Sequence, residues 1–306
     1  RALALNPMTA AEKRWAVTGL LINAMVWGLS WWPLRQLQAA GFHPLWSTLL
    51  VFTPALLVSG VWYRKHWRVL LTSPALWALA MAAGATNVGF NWSVTTGDVI
   101  RVILLFYTMP AWAVLLAWWL PKETPTAAAF VRLIIAFAGL WLVLWQPGSG
   151  WPVPREFADV LALVAGFMFA LNNVLLRRGH AYPSGARVLA MFFGGVVLNS
   201  VVALVGFGLG SLPAPQPTGG QWLPIALGLS MAIIAANVAL QYGASRLTSA
   251  ATSIIMLSEV VFASVSSIAL GASVFEAHIG FGALCIMTAA LMAAVAKPRP
   301  TPQSSA

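Results

Sequence analysis

Two short stretches of the sequence place side-chain amides four residues apart in otherwise apolar surroundings. Residues 85–92 contain Asn87 and Asn91, and residues 235–242 contain Asn237 and Gln241. Residues at positions i and i+4 share one face of a helix, so each pair predicts a polar patch on an apolar helix. A buried amide without a partner costs about 2–7 kcal/mol. Such side chains therefore either bond a neighbouring helix or face a cavity.

The two amide pairs occupy corresponding positions in the two halves of the chain. Asn237 follows Asn87 by 150 residues, and the chain has 306 residues. A single amide in an apolar helix most often forms a hydrogen bond to a neighbouring helix. Two matched pairs at repeated positions favour the other role. We expect Asn87, Asn91, Asn237 and Gln241 to line a central cavity and to hold the polar part of a solute.

Glu259 is the only acidic residue near the middle of an apolar run. An ionisable side chain at such a depth is energetically costly and suggests a function. One interpretation is a proton-coupling site or a partner for a substrate amine. The other is a protonated, hydrogen-bonded structural glutamate. The sequence leaves both interpretations open.

Three residues in another apolar run could act as a gate or a hinge. Pro110 removes one backbone hydrogen bond from a helix, so it predicts a hinge or a static kink. Asp98 and Arg101 lie three residues apart at the start of the same run. That spacing predicts either a local ion pair or an outer gate that contacts a carboxylate.

Four aromatic residues are further candidates: Trp27, Trp31, Trp92 and Tyr107. Aromatic side chains in apolar helices either form the wall of a cavity or pack against lipid and other helices. We include these four among the predicted substrate-binding residues.

The sequence contains no arrangement typical of an enzyme or of a metal centre. It has no HExxH motif and no paired nucleophile and base, and its four histidines are scattered. A metal site needs several ligands at compatible spacing. We therefore predict no catalytic residue, no metal and no cofactor.

The elements that position these residues are predicted to be membrane helices. Hydrophobic residues make up 60% of the chain and charged residues 8%, whereas a soluble domain has about 25% charged residues. A membrane-crossing helix needs about 20 mostly apolar residues. The runs of this kind are residues 15–34, 45–63, 75–95, 99–120, 126–146, 158–177, 187–209, 222–243, 248–270 and 276–296.

The placement of the basic residues predicts the orientation of these spans. Ten spans put both termini on one side of the membrane, and the termini and connections on that side carry thirteen Lys and Arg residues. The opposite side carries Arg35, Arg101 and Arg155. Because Lys and Arg accumulate in cytoplasmic connections, both termini are expected in the cytoplasm. The formal net charge of +10 is then explained by topology and anionic lipid, not by nucleic acid.

The repeat divides the predicted fold into two five-helix halves, residues 15–146 and 158–296. An extracytoplasmic linker at 147–157 joins them, and residues 1–14 and 297–306 are cytoplasmic. Residues 1–7 precede a candidate start at Met8 and are left out of the fold prediction. An odd number of spans in each half requires that the second half be inverted. The predicted fold is an all-α integral membrane protein with ten transmembrane helices in two inverted five-helix repeats.

Inverted repeats are typical of secondary transporters, whose solute sites lie near the membrane midplane. The alternative, a channel, usually needs rings of like residues from several subunits. We therefore predict a monomeric transporter that works by alternating access, with a small-molecule substrate and the lipid bilayer as its partners.

Three stretches of the chain resemble the drug/metabolite transporter superfamily, in its ten-helix EamA-type branch. They are "VWGLSWWPLR" at 26–35, "FYTMPAWAVLLAWWLPKETPT" at 106–126 and "RRGHAYP" at 177–183. The second half departs from the family pattern, because Glu259 stands where a proline is usual and Ala272 where a glutamate is usual.

The resemblance implies export of amino acids or related metabolites, in particular aromatic or large apolar amino acids, across the inner membrane of a bacterium. The alternative is a broad-specificity exporter of drugs or lipophilic cations. Apolar, aromatic and amide residues near the predicted site suit both classes of solute.

Overall fold

The computed structural model describes residues 9–109, 111–112, 115–116, 127–145, 153–178, 182–244, 246–247, 252 and 255–295. Within these ranges the chain forms α-helices and one short 3-10 helix at Arg64–His66, and no strand. The α-helices are α1 (Ala10–Leu29), α2 (Trp31–Ala39), α3 (Pro44–Trp62), α4 (Trp67–Thr72), α5 (Pro74–Thr96), α6 (Val99–Phe106), α7 (Ala127–Leu144), α8 (Phe157–Arg178), α9 (Ser184–Gly208), α10 (Trp222–Ala244), α11 (Ser258–Ala269) and α12 (Ala277–Val295).

Five helical segments of the described chain are long and apolar enough to cross a membrane: Ala10–Ala39, Pro44–Trp62, Phe157–Leu176, Ser184–Gly208 and Trp222–Leu240. A sixth is obtained if α4 and α5, which meet at an angle of 99°, are counted as one span. Shorter apolar helices cover Phe130–Val143, Ser258–Ala269 and Ala277–Ala289. The predicted all-α, multi-pass membrane class is confirmed, and the number of ten spans stays a prediction.

Local sequence signals explain where several helices begin. The Thr9 hydroxyl accepts a hydrogen bond from the Glu12 N–H, and the Glu12 carboxylate accepts one from the Thr9 N–H, which together cap α1. Proline occupies the first turn of α3 and of α5, where its missing N–H costs nothing. Asp98 caps α6 in the same way as Thr9 caps α1, by accepting from the Arg101 N–H at 2.9 Å.

Two predicted spans contain breaks, and the sequence indicated only the first of them, through Pro110. The run 99–120 was expected to be one helix, but α6 ends at Phe106, and Tyr107 and Thr108 form a turn before helical structure resumes at Met109. The run 248–270 is interrupted at Leu257, directly before α11. Apolar composition is the same on both sides of each break, so the hydrophobic pattern alone does not locate it.

Helices from the two halves of the chain pack against one another. The helix α5 lies against α8 and α9, and α1 lies against α10 and α11. The remaining extensive contacts join α3 to α9 and α10, α6 to α8 and α11, and α7 to α12. These contacts surround the residues from which the candidate site is built.

The closest approach of α5 and α9 depends on two glycines. A Cβ atom at Gly194 would collide with the carbonyl oxygen of Ala80, and one at Gly84 would collide with the carbonyl oxygen of Gly194. Small residues at such crossings let the backbones of membrane helices come into direct contact.

We expect Gly194→Ala to lower the free energy of unfolding by about 1–3 kcal/mol, because the added methyl group forces α5 and α9 apart. Thermal unfolding of the detergent-solubilised protein measures the change. The matched control is Gly228→Ala in α10, where a Cβ atom meets nothing within 4 Å. Equal melting temperatures for the two variants would contradict the assignment.

Candidate functional site

A cavity lies between the helices of the two halves and has a volume of about 160 Å³. An engineered cavity of about 150 Å³ in another protein is known to bind benzene, so this space suits a body about the size of one aromatic ring. Its polar lining residues are Asn23, Thr86, Asn87, Asn172, Asn237 and Glu259. Its aromatic lining residues are Trp27, Phe52, Phe90, Phe106, Phe169 and Phe192.

Two of the four predicted amides line this cavity together. Asn87 comes from α5 and Asn237 from α10, so the structure brings the repeated position of both halves to one space. The Asn87 side chain donates a hydrogen bond to the Ala83 carbonyl of its own helix at 2.9 Å. Gln241 belongs to α10, and its side chain lies outside the described part of the structure.

Asn91 has a different role from the one expected. It is not among the residues that line the cavity. Its side chain is buried and donates a hydrogen bond to the Thr48 hydroxyl of α3 at 3.3 Å. One turn of α5 therefore separates an amide that faces the cavity from an amide that joins two helices.

Of the predicted aromatic residues, only Trp27 lines the cavity. The Trp31 indole is buried and donates to the Ser266 hydroxyl at 3.0 Å, so it joins α2 to α11. The Trp92 ring packs against His43 and Phe157, at centroid distances of 4.6 and 5.2 Å. Trp31 and Trp92 thus hold helices together and do not form the cavity wall.

Tyr107 lies behind the cavity wall and contacts Glu259. The Tyr107 side chain is buried, and its hydroxyl donates to the Glu259 carboxylate at 2.9 Å. Glu259 itself lines the cavity although only 8% of its surface is exposed. Among the described lining residues it is the only one with an ionisable side chain. The predicted hinge Pro110 lies outside the described residues.

Asn23, a lone amide in the first apolar run, is not among the site residues predicted from the sequence. Asn23 and Asn172 are almost completely buried, and both line the cavity. Their Oδ1 atoms have no hydrogen-bond partner among the described residues. An amide side chain within an apolar run is itself a signal for such a site, because an amide in a membrane span needs a hydrogen-bond partner. Neither residue belongs to the repeated amide stretches that drew attention to Asn87 and Asn237.

A buried ion pair joins three helices at one end of the bundle. The Arg101 guanidinium donates to the two carboxylate oxygens of Asp159 at 2.8 and 2.9 Å, and to the Val143 carbonyl at 3.0 Å. These contacts connect α6, α8 and α7. The Arg35 guanidinium donates to the Gly97 carbonyl and lies 5.4 Å above the Trp31 ring.

The prediction of a local ion pair between the Asp98 and Arg101 side chains is wrong. Asp98 binds the backbone N–H of Arg101, while the guanidinium binds Asp159. The bidentate arrangement with a carboxylate is the strongest that an arginine forms. Asp159 is 58 residues away from Arg101, so no local spacing rule pointed to it.

We expect Asp159→Asn to lower the free energy of unfolding by on the order of 3 kcal/mol, because it leaves a buried guanidinium without its counter-charge. The control is Asp98→Asn, which keeps an acceptor for the helix cap and should change stability by less than about 1 kcal/mol. Thermal unfolding in detergent compares the two. A double variant, Arg101→Met with Asp159→Leu, should recover most of the loss. Similar losses in the two single variants would contradict the role of the pair.

The fold and the site together define a multi-pass membrane protein with an internal cavity of solute size. Residues 14–145 match the model of the EamA-like transporter family. This match covers the first of the two predicted halves and agrees with the resemblance seen in the sequence.

A solved crystal structure of a protein with no function in its name aligns with 91% of this chain and 96% of its own length. The TM-score is 0.56 and the sequence identity 17%, so the likeness concerns the fold alone. No curated protein matches the chain.

Proposed function

We propose that the protein is a secondary transporter that exports small metabolites, with amino acids that have aromatic or large apolar side chains as the favoured substrates. The observation that carries the proposal is the composition of the cavity wall. Six aromatic rings surround a space of about 160 Å³ that also contacts amides and one carboxylate. An apolar pocket with a few polar groups is the usual form of a small-molecule site.

The polar groups match the two ends of an amino acid. The Glu259 carboxylate is the partner for the ammonium group, and ring faces such as that of Trp27 attract the same charge. The amide groups of Asn87 and Asn237 are the donors for the carboxylate. The side chain of the amino acid occupies the remaining apolar space, which is lined by Phe90, Phe106 and other aromatic residues.

The contacts between helices support two inverted five-helix halves. In the predicted repeat, α1 corresponds to α8 and α5 corresponds to α10. The contact between α1 and α10 should therefore recur as a contact between α8 and α5, and both contacts are present. A Cβ atom at Gly19 would lie 2.9 Å from the Ala239 carbonyl oxygen, and one at Gly89 would lie 2.9 Å from the Leu161 carbonyl oxygen. Ala239 follows Gly89 by 150 residues, the same separation as that of Asn87 and Asn237.

In this proposal, transport proceeds by alternating access around the cavity. The Arg101–Asp159 pair and the Arg35–Gly97 contact close one end, which the charge distribution assigns to the outside. Pro110 remains the proposed hinge. We place the transporter in the inner membrane of a bacterium as a monomer, with both termini in the cytoplasm. The topology rests on the thirteen basic residues of one face against three on the other.

A second candidate is a transporter for lipophilic amines. Glu259 is the only ionisable residue among the described lining residues. These residues therefore offer a carboxylate to a cationic solute and no positive group to an anionic one. A solute that carries an amine but no carboxylate would use the same ring faces and the same glutamate.

Three aromatic probes separate these candidates in a liposome counterflow assay: phenylalanine, phenethylamine and 3-phenylpropionate. The amino-acid proposal predicts exchange of phenylalanine and little exchange of either analogue, because each analogue leaves one set of polar groups unpaired. The amine proposal predicts exchange of phenethylamine. Exchange of 3-phenylpropionate alone would contradict both, since its carboxylate faces Glu259 without an amine.

We expect Asn87→Ala and Asn237→Ala each to raise the half-saturation concentration about ten- to a hundred-fold, because each removes a hydrogen bond to a charged group. Asn91→Ala is the matched control in the same helix as Asn87. It removes the bond to Thr48 and should lower the melting temperature without changing substrate affinity. Wild-type affinity in both cavity variants would exclude these amides from the site.

A further inference from the structure

Two interruptions of the helical structure face each other where α6 packs against α11. The first is the turn at Tyr107 and Thr108, and the second is the turn at Leu257. Leu257 follows Tyr107 by 150 residues, which is also the separation of the repeated amides. Broken helices near the midplane often form the solute and ion sites of secondary transporters, because the break exposes backbone groups.

One side chain connects the two breaks. The Tyr107 hydroxyl donates to the Glu259 carboxylate at 2.9 Å and is also 3.3 Å from the Met256 carbonyl oxygen. Met256 precedes the break at Leu257 and Glu259 follows it. The hydroxyl of the first break therefore touches both sides of the second.

The Met256 carbonyl is available because of the break. In a continuous helix it would accept from the N–H of Val260. Here the Val260 N–H donates to the Leu257 carbonyl at 3.2 Å. A carbonyl freed in this way within a membrane needs another donor, and the Tyr107 hydroxyl is the donor within reach.

A hydroxyl has one hydrogen to donate, so its two acceptors compete for it. When Glu259 is ionised, the charged carboxylate is the stronger acceptor and takes the Tyr107 hydrogen. When Glu259 carries a proton, its own O–H can donate to the Tyr107 oxygen. The Tyr107 hydrogen is then available to the Met256 carbonyl.

We propose that Tyr107 is a positioning residue for Glu259, and that a proton on Glu259 moves the Tyr107 hydrogen bond from the carboxylate to the Met256 carbonyl. This step couples proton binding in the cavity to the geometry of both helix breaks. It rests on the proposed function, because it assigns proton coupling to the cavity in which the solute is proposed to bind. No covalent bond changes other than the protonation of the carboxylate.

The described side chains that share the cavity with Glu259 from the packed helices are neutral. The helices α6 and α1 pack against α11. Tyr107, which directly follows α6, is the titratable group that contacts Glu259 from that side. Asn23 and Trp27 of α1 line the cavity together with Glu259, and both are neutral. A Cβ atom at Gly28 would lie 2.7 Å from the Glu259 carbonyl oxygen. The backbone of α1 thus holds Glu259 in place.

The experiment measures how accessible the cavity is at different pH, so it does not depend on knowing the substrate. A cysteine replaces Thr86, which lines the cavity, in a chain whose own Cys285 is changed to alanine. The full-length protein is reconstituted in liposomes and treated with a membrane-impermeant methanethiosulfonate between about pH 4 and about pH 9, a range that runs from the ordinary pKa of a carboxyl group up to the values documented for buried ones. Modification rates are divided by those of the same protein with Glu259→Gln, which corrects for the reactivity of the thiol itself.

The normalised rate is expected to change with pH in the otherwise unaltered protein. Tyr107→Phe should move the midpoint of that change to higher pH by about one unit, because the ionised carboxylate loses a donor. The matched control is Tyr182→Phe, which removes a hydroxyl that bonds Ser73 at 2.8 Å outside the cavity. It should leave the midpoint unchanged.

Glu259→Asp provides a second test, because the shorter side chain withdraws the carboxylate from Tyr107 and keeps it ionisable. In the Glu259→Asp protein, adding Tyr107→Phe should then move the midpoint much less than Tyr107→Phe does in the protein that keeps Glu259. An unchanged midpoint in Tyr107→Phe, or a pH-independent normalised rate, would overturn the proposal. If none of the three aromatic probes is exchanged while the pH response and its shift persist, the proposed substrates fail and this inference stands.

Discussion

The hydrocarbon layer offers no hydrogen-bond partners, so each polar group that the chain carries into it must be satisfied by the protein or by a solute. Many of the described Ser, Thr and Asn side chains meet this demand by bonding a carbonyl of their own helix, and others join two helices. Asn91 binds Thr48, Trp31 binds Ser266, and Arg101 binds Asp159. A smaller group faces the cavity, and Asn23 and Asn172 keep carbonyl oxygens there without a protein partner. At the cavity, these two oxygens are available to a solute.

Close backbone contact makes both the pairing and the cavity possible. Gly84 and Gly194 bring α5 against α9, and Gly28 brings α1 against the backbone of Glu259. With the backbones in contact at these crossings, the large aromatic side chains are left to surround the space between the helices. Packing through small residues is the usual substitute in membranes for the hydrophobic effect, which cannot drive helices together in lipid. The same glycines therefore let the helices meet and position the residues that line the cavity.

The sequence predicted the class of the protein and two of the amides that line the cavity. Apolar runs and charge placement were sufficient for an all-α membrane fold, and the repeated amides led to Asn87 and Asn237. Which face of a helix looks inward is harder to predict when the whole helix is apolar, and this explains why Asn91, Trp31 and Trp92 turned out to pack between helices. The bond between Tyr107 and Glu259 spans 152 residues. Contacts of this kind depend on the tertiary arrangement, and no local pattern predicts them.

The bend of 99° between α4 and α5 has a consequence for how the protein sits in lipid. If α5 crosses the bilayer, α4 lies along its surface, and Arg64, Lys65 and Arg68 beside it can contact phosphate head groups while exposed Trp62 and Leu71 enter the acyl boundary. Asn87 follows Pro74 at the start of α5 by 13 residues, which corresponds to about 20 Å along a helix. That distance is close to half the thickness of a bilayer with its head groups. In that arrangement the bend anchors the chain at the membrane surface, and the amides of the cavity lie near the centre of the membrane.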